Sequence, residues 1–180
     1  EALDKGGFAD VKPGAYYEDA VNWAVGQKIT AGKSATAFAP NDACTRAQAV
    51  TFLWRAAGSP EPKATSTVFT DVAKDSYYYK AVLWAVENGI TNGATETTFA
   101  PNATCTRGQI VTFLYRSQKS PEATAENPFT DVKAGAFYEN AVLWAVKENI
   151  TTGASATTFD PAGSCTRGQI VTFLFRCMGK

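Results

Sequence analysis

The sequence predicts a mainly α-helical protein made of three helix-loop-helix repeats. Three observations carry that expectation. The ten letters CTRGQIVTFL stand at 105–114 and again at 165–174, with the near copy CTRAQAVTFL at 44–53. Around them the same motifs recur with a period of about sixty: Trp23, Trp84 and Trp144 are 61 and 60 residues apart, as are Arg46, Arg107 and Arg167. Within each copy the apolar residues fall at helical spacing, and every CTR stretch carries a Thr-x-x-Gln helix-start signal.

Bulk composition narrows the function. With 45% apolar and 12% aromatic residues in 180, the chain can bury a core as one domain or a few small cooperating units. Seventeen basic and seventeen acidic side chains cancel, so no global field exists to hold a polyanion such as a nucleic acid, and any anion binding must be local. No apolar run approaches the ~20 residues a membrane helix needs, and the Glu-Ala-Leu-Asp start lacks the basic-then-apolar pattern of a leader. Histidine is absent, which removes the side chain most used for proton transfer near neutral pH and the commonest metal ligand. The four cysteines form no CxxC pair, so zinc-ribbon and thioredoxin readings have no support.

The repeats span residues 8–57, 69–118 and 129–178. Each opens on FADV (8–11) or FTDV (69–72, 129–132), continues with AVNWAV (20–25) or AVLWAV (81–86, 141–146), and reaches FAPN (38–41, 99–102) or FDPA (159–162). The connectors AAGSPEPKATST (56–67) and SQKSPEATAENP (117–128) are rich in Pro, Ser, Thr and Glu, as exposed linkers are.

The first helix of a repeat is read from the second copy. Ala81, Trp84, Ala85 and Asn88 share one face, with Val82 and Val86 on the next, and Gly89 supplies a left-handed stop. Lys28 and Asn149 hold that place elsewhere, which predicts a weaker stop. The three tryptophans sit amid Ala and Val and read as core. A loop follows, ITAGKSATAFAPNDA (29–43), ITNGATETTFAPNAT (90–104) or ITTGASATTFDPAGS (150–164). Its glycine, Gly32, Gly93 or Gly153, fits a positive-φ turn or a close approach by a ligand. Phe38, Phe99 and Phe159 are expected to plug the core beneath it.

The second helix starts inside the CTR stretch. Thr45, Thr106 and Thr166 are N-caps, and Gln48, Gln109 and Gln169 complete capping boxes. The Cys before the cap and Ile110 or Ile170 after it fit a hydrophobic staple, and Ile110, Phe113 and Leu114 form the buried stripe. Arg116 suits the negative end of the helix dipole. Folding leaves Arg107 unexplained. At the first helical position its side chain is expected to point to solvent, beside N–H groups without intrahelical partners, where a carboxylate or phosphate would be gripped by a guanidinium fork. The structural alternative is a surface Arg paired with a nearby acid.

The order F-x-D-V, an aromatic, A-V-x-W-A, I-T-x-G, F-x-P and T-R-[AG]-Q, three times over from Phe8 to Met178, resembles the S-layer homology module of bacterial surface proteins. The resemblance implies a pseudo-threefold domain with one helix per motif in a central bundle and projecting prongs. It also implies grooves between motifs that bind secondary cell-wall polysaccharide, commonly through pyruvylated N-acetylmannosamine, and so anchor a longer secreted protein. On that likeness Arg46, Arg107 and Arg167 would hold the pyruvyl carboxylate, and Gly32, Gly93 and Gly153 would line the grooves. Asp10, Asp71 and Asp131 would accept sugar hydroxyls, unless they close Asx turns. Tyr16, Tyr77 and Phe137, where the family often has Trp, would stack on a sugar face or join the core.

Departures bear on the glycan. Gln replaces the Glu of T-R-A-E in all copies, Gly108 and Gly168 replace Ala, and the Asp-Gly usual before the loop Thr-Phe is missing. Cys44, Cys105 and Cys165 stand where a small apolar residue is usual, and read as buried hydrophobes. A thiol metal cluster would need the three helix starts to converge, and prongs should separate them; no metal or cofactor is expected. Cys177 has no counterpart, Ala56 and Ser117 standing in its place.

The expectation is therefore a noncatalytic, monomeric anchoring module outside the cell, without membrane insertion, placed at the C-terminus of a longer protein. A glycan hydrolase fares badly, because a catalytic carboxylate pair belongs to one unique site while the recurrent Asp appears in every repeat. A self-assembling protein scaffold would instead show an exposed apolar patch.

Overall fold

The computed structural model describes residues 7–179, so the opening tetrapeptide read above for a leader lies outside them. Among the described residues six helices follow one another: α1 (Glu18–Gly26), α2 (Arg46–Ala56), α3 (Tyr79–Glu87), α4 (Arg107–Ser117), α5 (Glu139–Lys147) and α6 (Arg167–Met178). Among the described residues the only extended pairing is three isolated bridges, and no helix is long and apolar enough to cross a membrane.

The outer helices α1, α3 and α5 end identically, with Schellman geometry. Ile90 N–H donates to Ala85 O and Gly89 N–H to Val86 O, and Ile29 with Lys28 and Ile150 with Asn149 repeat the pattern. Lys28 (φ 59°), Gly89 (φ 66°) and Asn149 (φ 57°) all take the left-handed conformation, so the stop is as complete without glycine as with it. The fully buried isoleucine beyond each turn anchors the end in the core. On α3 the buried face includes Leu83, whereas Val86 is 40% exposed, contrary to the face drawn from the sequence. Trp84 and Trp144 are buried; Trp23 is only half-buried.

Inner helices α2, α4 and α6 start on the expected capping boxes, each Thr side chain accepting from the Gln backbone N–H and each Gln side chain accepting from the Thr N–H. They pack on one another pairwise to form a central bundle. Each outer helix lies against the inner helix of the preceding repeat: α3 on α2, α5 on α4, and α1 on α6, which closes the circle. The helix contacts among the described residues include none between the two helices of one repeat.

The helix starts converge on the pseudo-threefold axis. Cys44 N–H donates to Cys165 O (2.8 Å), Cys105 N–H to Cys44 O (2.8 Å) and Cys165 N–H to Cys105 O (3.0 Å), a closed ring of backbone hydrogen bonds. This corrects the expectation that prongs would separate these cysteines. The thiols are nonetheless fully buried, and burial pushes those of Cys105 and Cys165 up to about 12 and that of Cys44 further up, so they remain protonated. They fill space as small hydrophobes, and no group of three or more His, Cys, Asp or Glu among the described residues is arranged to hold a metal. Cys177 is half-buried and packs against the core as a thiol.

Phe38, Phe99 and Phe159 are fully buried beneath the loops, as expected. The connectors are tied down at their starts: Trp54 Nε1 donates to Pro60 O (2.8 Å), and the Tyr115 hydroxyl to Pro121 O (2.9 Å).

Because α4 needs α5 and α1 needs α6, a fragment of residues 1–118 is expected to lose cooperative folding, seen as a broad, sloping thermal transition by circular dichroism where the full chain melts in one step. Removing a single cap, Thr106→Ala, should lower stability by about 1 kcal/mol in urea titrations without changing that cooperativity.

Candidate functional site

The three arginines at the first helical position are not solvent-directed. Arg46, Arg107 and Arg167 are 6%, 6% and 4% exposed, which corrects the sequence expectation. The nearby N–H groups are also occupied. Arg46 N–H donates to Ala103 O (2.9 Å) and Ala47 N–H to Pro101 O (3.0 Å); Arg107 and Gly108 use Gly163 O and Pro161 O; Arg167 and Gly168 use Asp42 O and Pro40 O. Each inner helix is thus started by carbonyls from another repeat, and its N-terminus offers an anion no bare amides.

The guanidinium itself becomes a bridge between repeats. Arg46 Nε donates to Phe99 O (2.8 Å), Arg107 Nε to Phe159 O (2.8 Å) and Arg167 Nε to Phe38 O (2.9 Å). Each lies between two aromatic faces: Arg46 over Phe99 and Phe113 (4.9 and 5.5 Å), Arg107 over Phe159 and Phe173 (4.7 and 5.8 Å), Arg167 over Phe38 and Phe52 (4.8 and 5.4 Å). Cation–π attraction and the fixed Nε bond hold the fork in one orientation. Burial pulls the Arg46 and Arg167 guanidinium pKa values down, with Cys105 and Cys44 respectively opposing first, followed by nearby carboxyls. The Nη2 atoms of Arg46 and Arg107 are buried without a hydrogen-bond partner.

Around these arginines lie grooves to which all three repeats contribute. One, of about 240 Å³, is lined by Gly32, Gln48 and Arg55 of the first repeat, Tyr77 of the second and Arg167 of the third. Another, of about 360 Å³, is lined by Gly153, Gln169 and Arg176 of the third repeat, Tyr16 of the first and Arg107 of the second. The same positions in the remaining cycle are Gly93, Gln109 and Arg116 with Phe137 and Arg46. We call the two the first- and third-repeat grooves after the loop each contains, and the equivalent positions the second-repeat groove by symmetry.

The loop glycines are required by the backbone. Gly32, Gly93 and Gly153 have φ of 87°, 94° and 94°, and an added Cβ would come 2.5 Å from the Phe8, Phe69 or Phe129 ring. Ring and turn alone explain the glycine, and Gly32 and Gly153 also border the grooves.

The aspartates are neither Asx-turn residues nor idle acceptors. Both Asp10 oxygens are used, accepting from Phe38 N–H (2.9 Å) and Ala39 N–H (2.7 Å); Asp71 does the same with Phe99 and Ala100, and Asp131 with Phe159 and Asp160. They clamp the start of a repeat to the loop 28 residues later, setting the carbonyl that receives the arginine. At Asp10 burial works against the charge, but the N–H groups of Phe38 and Ala39, its own N–H and then Arg167 hold the carboxyl below the ordinary 3.8.

Tyr16, Tyr77 and Phe137 are on the rim, 59%, 58% and 63% exposed, each stacked edge-on against the next tyrosine (Tyr17, Tyr78, Tyr138). Burial raises the Tyr16 and Tyr77 phenols, with the nearby Thr166 and Thr45 side chains opposing the shift. Beside those tyrosines a Cβ at Gly108 or Gly168 would sit 3.1 Å from the Tyr138 or Tyr17 ring and 3.0 Å from a proline carbonyl, a tight place that Ala47 nevertheless fills in the first repeat.

Sequence reasoning missed a second arginine, which lines the first- and third-repeat grooves as Arg55 and Arg176 and recurs as Arg116. Arg55, Arg116 and Arg176 each donate from Nη1 to the carbonyl of the isoleucine that ends an outer helix, Ile29, Ile90 or Ile150 (3.3, 3.1 and 3.1 Å). Their spacing repeats that of the first set, a signal obscured because a helix dipole sufficed to explain them.

The family model for the S-layer homology domain matches residues 7–50, 68–111 and 128–171. The chain belongs to the S-layer homology family. Membership makes it an extracellular, cell-surface module of the anchoring kind. It is 30% identical over 168 residues to an endoglucanase of Bacillus sp. (strain KSM-635), covering 90% of this chain and 18% of that protein. It is 33% identical over 114 residues to the surface-layer 125 kDa protein of Lysinibacillus sphaericus, covering 63% and 10%, and 23% identical over 170 residues to an S-layer protein of Bacillus thuringiensis subsp. finitimus, covering 93% and 21%. The chain thus spans about a fifth or less of these relatives.

Asp71→Ala should cost roughly 2 kcal/mol of stability in urea titration, because two backbone N–H groups lose their acceptor together. Since the folded pKa of Asp10 lies below its unfolded value, its contribution is whole above that unfolded value and is lost as pH falls through the folded one. The urea midpoint of the parent is expected to fall below about pH 4, and to fall less steeply in Asp10→Asn, which starts lower at pH 7.

Proposed function

We propose that the protein binds an acidic cell-wall polysaccharide, one carrying a carboxylate such as a pyruvyl acetal on an amino sugar, in the grooves between its repeats. By that contact it anchors a longer protein to the bacterial surface. The observation that carries this reading is the recurring set of an aromatic-sandwiched arginine, a second arginine and an exposed rim aromatic, drawn from three different repeats. A carboxylate entering the groove meets guanidinium groups already fixed in orientation, so little side-chain entropy is lost on binding. The apolar face of a pyranose covers the rim ring, while hydroxyls meet the polar Thr and Gln side chains of the groove. Grooves on one rigid body engaging one polymer gain through effective concentration, so modest single contacts give firm attachment. We take residues 8–57, 69–118 and 129–178 as the three units of this domain.

Relatives with names as different as an endoglucanase and a surface-layer protein share the module over a small part of their length, which supports a transferable anchor. Against the scaffold reading, three of the six exposed large apolar side chains among the described residues are the rim aromatics Tyr16, Tyr77 and Phe137; the others are Val68, Val86 and Met178.

The test is co-sedimentation with cell-wall sacculi, intact or stripped of secondary polymer by acid. Because the arginines are buried, Arg→Lys variants at 46, 107 and 167 are used beside Arg→Ala, with folding checked by circular dichroism. Binding to intact sacculi alone, lost at least tenfold in the folded triple Lys variant, is expected, since lysine keeps the charge and loses the fork. Equal sedimentation with stripped walls, or a folded triple variant that binds like the parent, removes the polysaccharide reading.

A further inference from the structure

The three grooves share a frame but not a charge. In the third-repeat groove Asp160 lines the wall together with Arg107 and Arg176. The same place holds Ala39 in the first repeat and Ala100 in the second, and all three residues have the same left-handed backbone, φ 59°, 58° and 56°. Alanine therefore suffices for the fold there. The Asp160 backbone is held as its counterparts are, its N–H donating to Asp131 Oδ2 (2.7 Å) and its carbonyl accepting from Gly163 N–H (3.1 Å). The added carboxyl lies over Gly163, where a Cβ would fall 2.6 Å from Asp160 Cγ; Asp42 and Ala103 occupy that place in the other repeats. Glycine at 163 makes the room that the carboxylate needs.

The Asp160 carboxylate forms no close ion pair in its groove. The ion pairs among the described residues are Lys33 with Asp42 and Lys80 with Glu61, so neither Arg107 nor Arg176 closes on Asp160. The first-repeat groove is the contrast: its neighbouring acid, Asp42, is held by Lys33 Nζ at 2.6 Å, and Lys33 itself adds to the lining of Arg55 and Arg167. The second-repeat positions bring Arg46 and Arg116 with neither addition, and a Phe137 rim lacking the hydroxyl of Tyr16 and Tyr77.

We propose that Asp160 is a specificity residue that makes the third-repeat groove the least receptive of the three to an anionic saccharide. Resting on the saccharide reading above, this assigns that groove to a neutral unit of the same polymer. Its exposed Tyr16 ring and its arginine donors still meet hydroxyls, while a ligand carboxylate faces the negative charge of Asp160.

The decisive experiment is amide NMR, with Gly32, Gly93 and Gly153 as one reporter for each groove, on the parent, Asp160→Asn and Asp160→Ala. Asparagine tolerates the left-handed backbone and alanine already occupies it in the other repeats, so both variants should fold. The first probe is the methyl glycoside of 4,6-pyruvylated N-acetylmannosamine, with the unpyruvylated glycoside as the neutral partner. In both variants Gly153 should respond to the acidic probe at roughly threefold or more lower concentration, the gain shrinking in 0.5 M salt. Gly32 and Gly93, and all three responses to the neutral probe, should stay unchanged. A second arm uses sodium acetate, which needs no saccharide recognition. If no groove amide answers the acidic glycoside in any protein, the saccharide reading fails by itself. The acetate arm still decides Asp160, a stronger Gly153 response in both variants supporting its role. An unchanged Gly153 response to acetate, or a gain spread equally over the three glycines, overturns the proposal.

Discussion

At the centre of the molecule, each inner helix takes its first hydrogen bonds from a chain segment that belongs to another repeat. The ring through Cys44, Cys165 and Cys105 and the paired bonds to Pro40, Pro101 and Pro161 carbonyls satisfy donors that a helix start otherwise leaves to water or to a ligand. The cost of burying three helix starts at one axis is met by closure, because a two-repeat version would leave donors on one side and carbonyls on the other with nothing to meet. The outer helices obey the same rule, lying on a neighbour's inner helix. A single repeat therefore has no core of its own, and the circle is the smallest unit in which the buried backbone groups at the helix starts are paired.

The arginines stand where this constraint touches the surface. Their Nε atoms finish the contact between repeats, receiving no freedom to rotate, and each side chain lies between a phenylalanine that plugs a loop and one from an inner helix. A residue that both joins repeats and borders a groove explains why the groove is preformed: its wall is part of what holds the domain shut. The Asp clamps extend that logic outward. By fixing the N–H groups on either side of the Phe carbonyl, Asp10, Asp71 and Asp131 aim the acceptor at the arginine, and so act on the groove through position without needing to touch a ligand.

Local features were legible in the sequence and distant ones were not. Capping boxes and the phenylalanine plugs are decided within a few residues, and they stand as the motifs imply. The arginine was misread as solvent-facing because its true partners, Phe99, Phe159 and Phe38, lie 53, 52 and 129 residues away. Likewise an Asp before a turn suggests a bond two residues on, while here the acceptors serve N–H groups 28 and 29 residues away. The stop at Lys28 and Asn149 was underrated for another reason: packing of Ile29 and Ile150 compensates the strain that glycine would have avoided.

Threefold closure also explains how the grooves can diverge while the fold stays fixed. Residues in the ring, the bundle and the clamps are used by two repeats at once, so a change there is felt on both sides of a contact. Lys33, Phe137 and Asp160 each belong to one groove and to none of those contacts' side-chain partners, and each departs from its two counterparts. The frame therefore tolerates a change of charge or polarity at these groove positions. A repeated fold can in this way keep one closed frame while the walls of its grooves carry unequal charge.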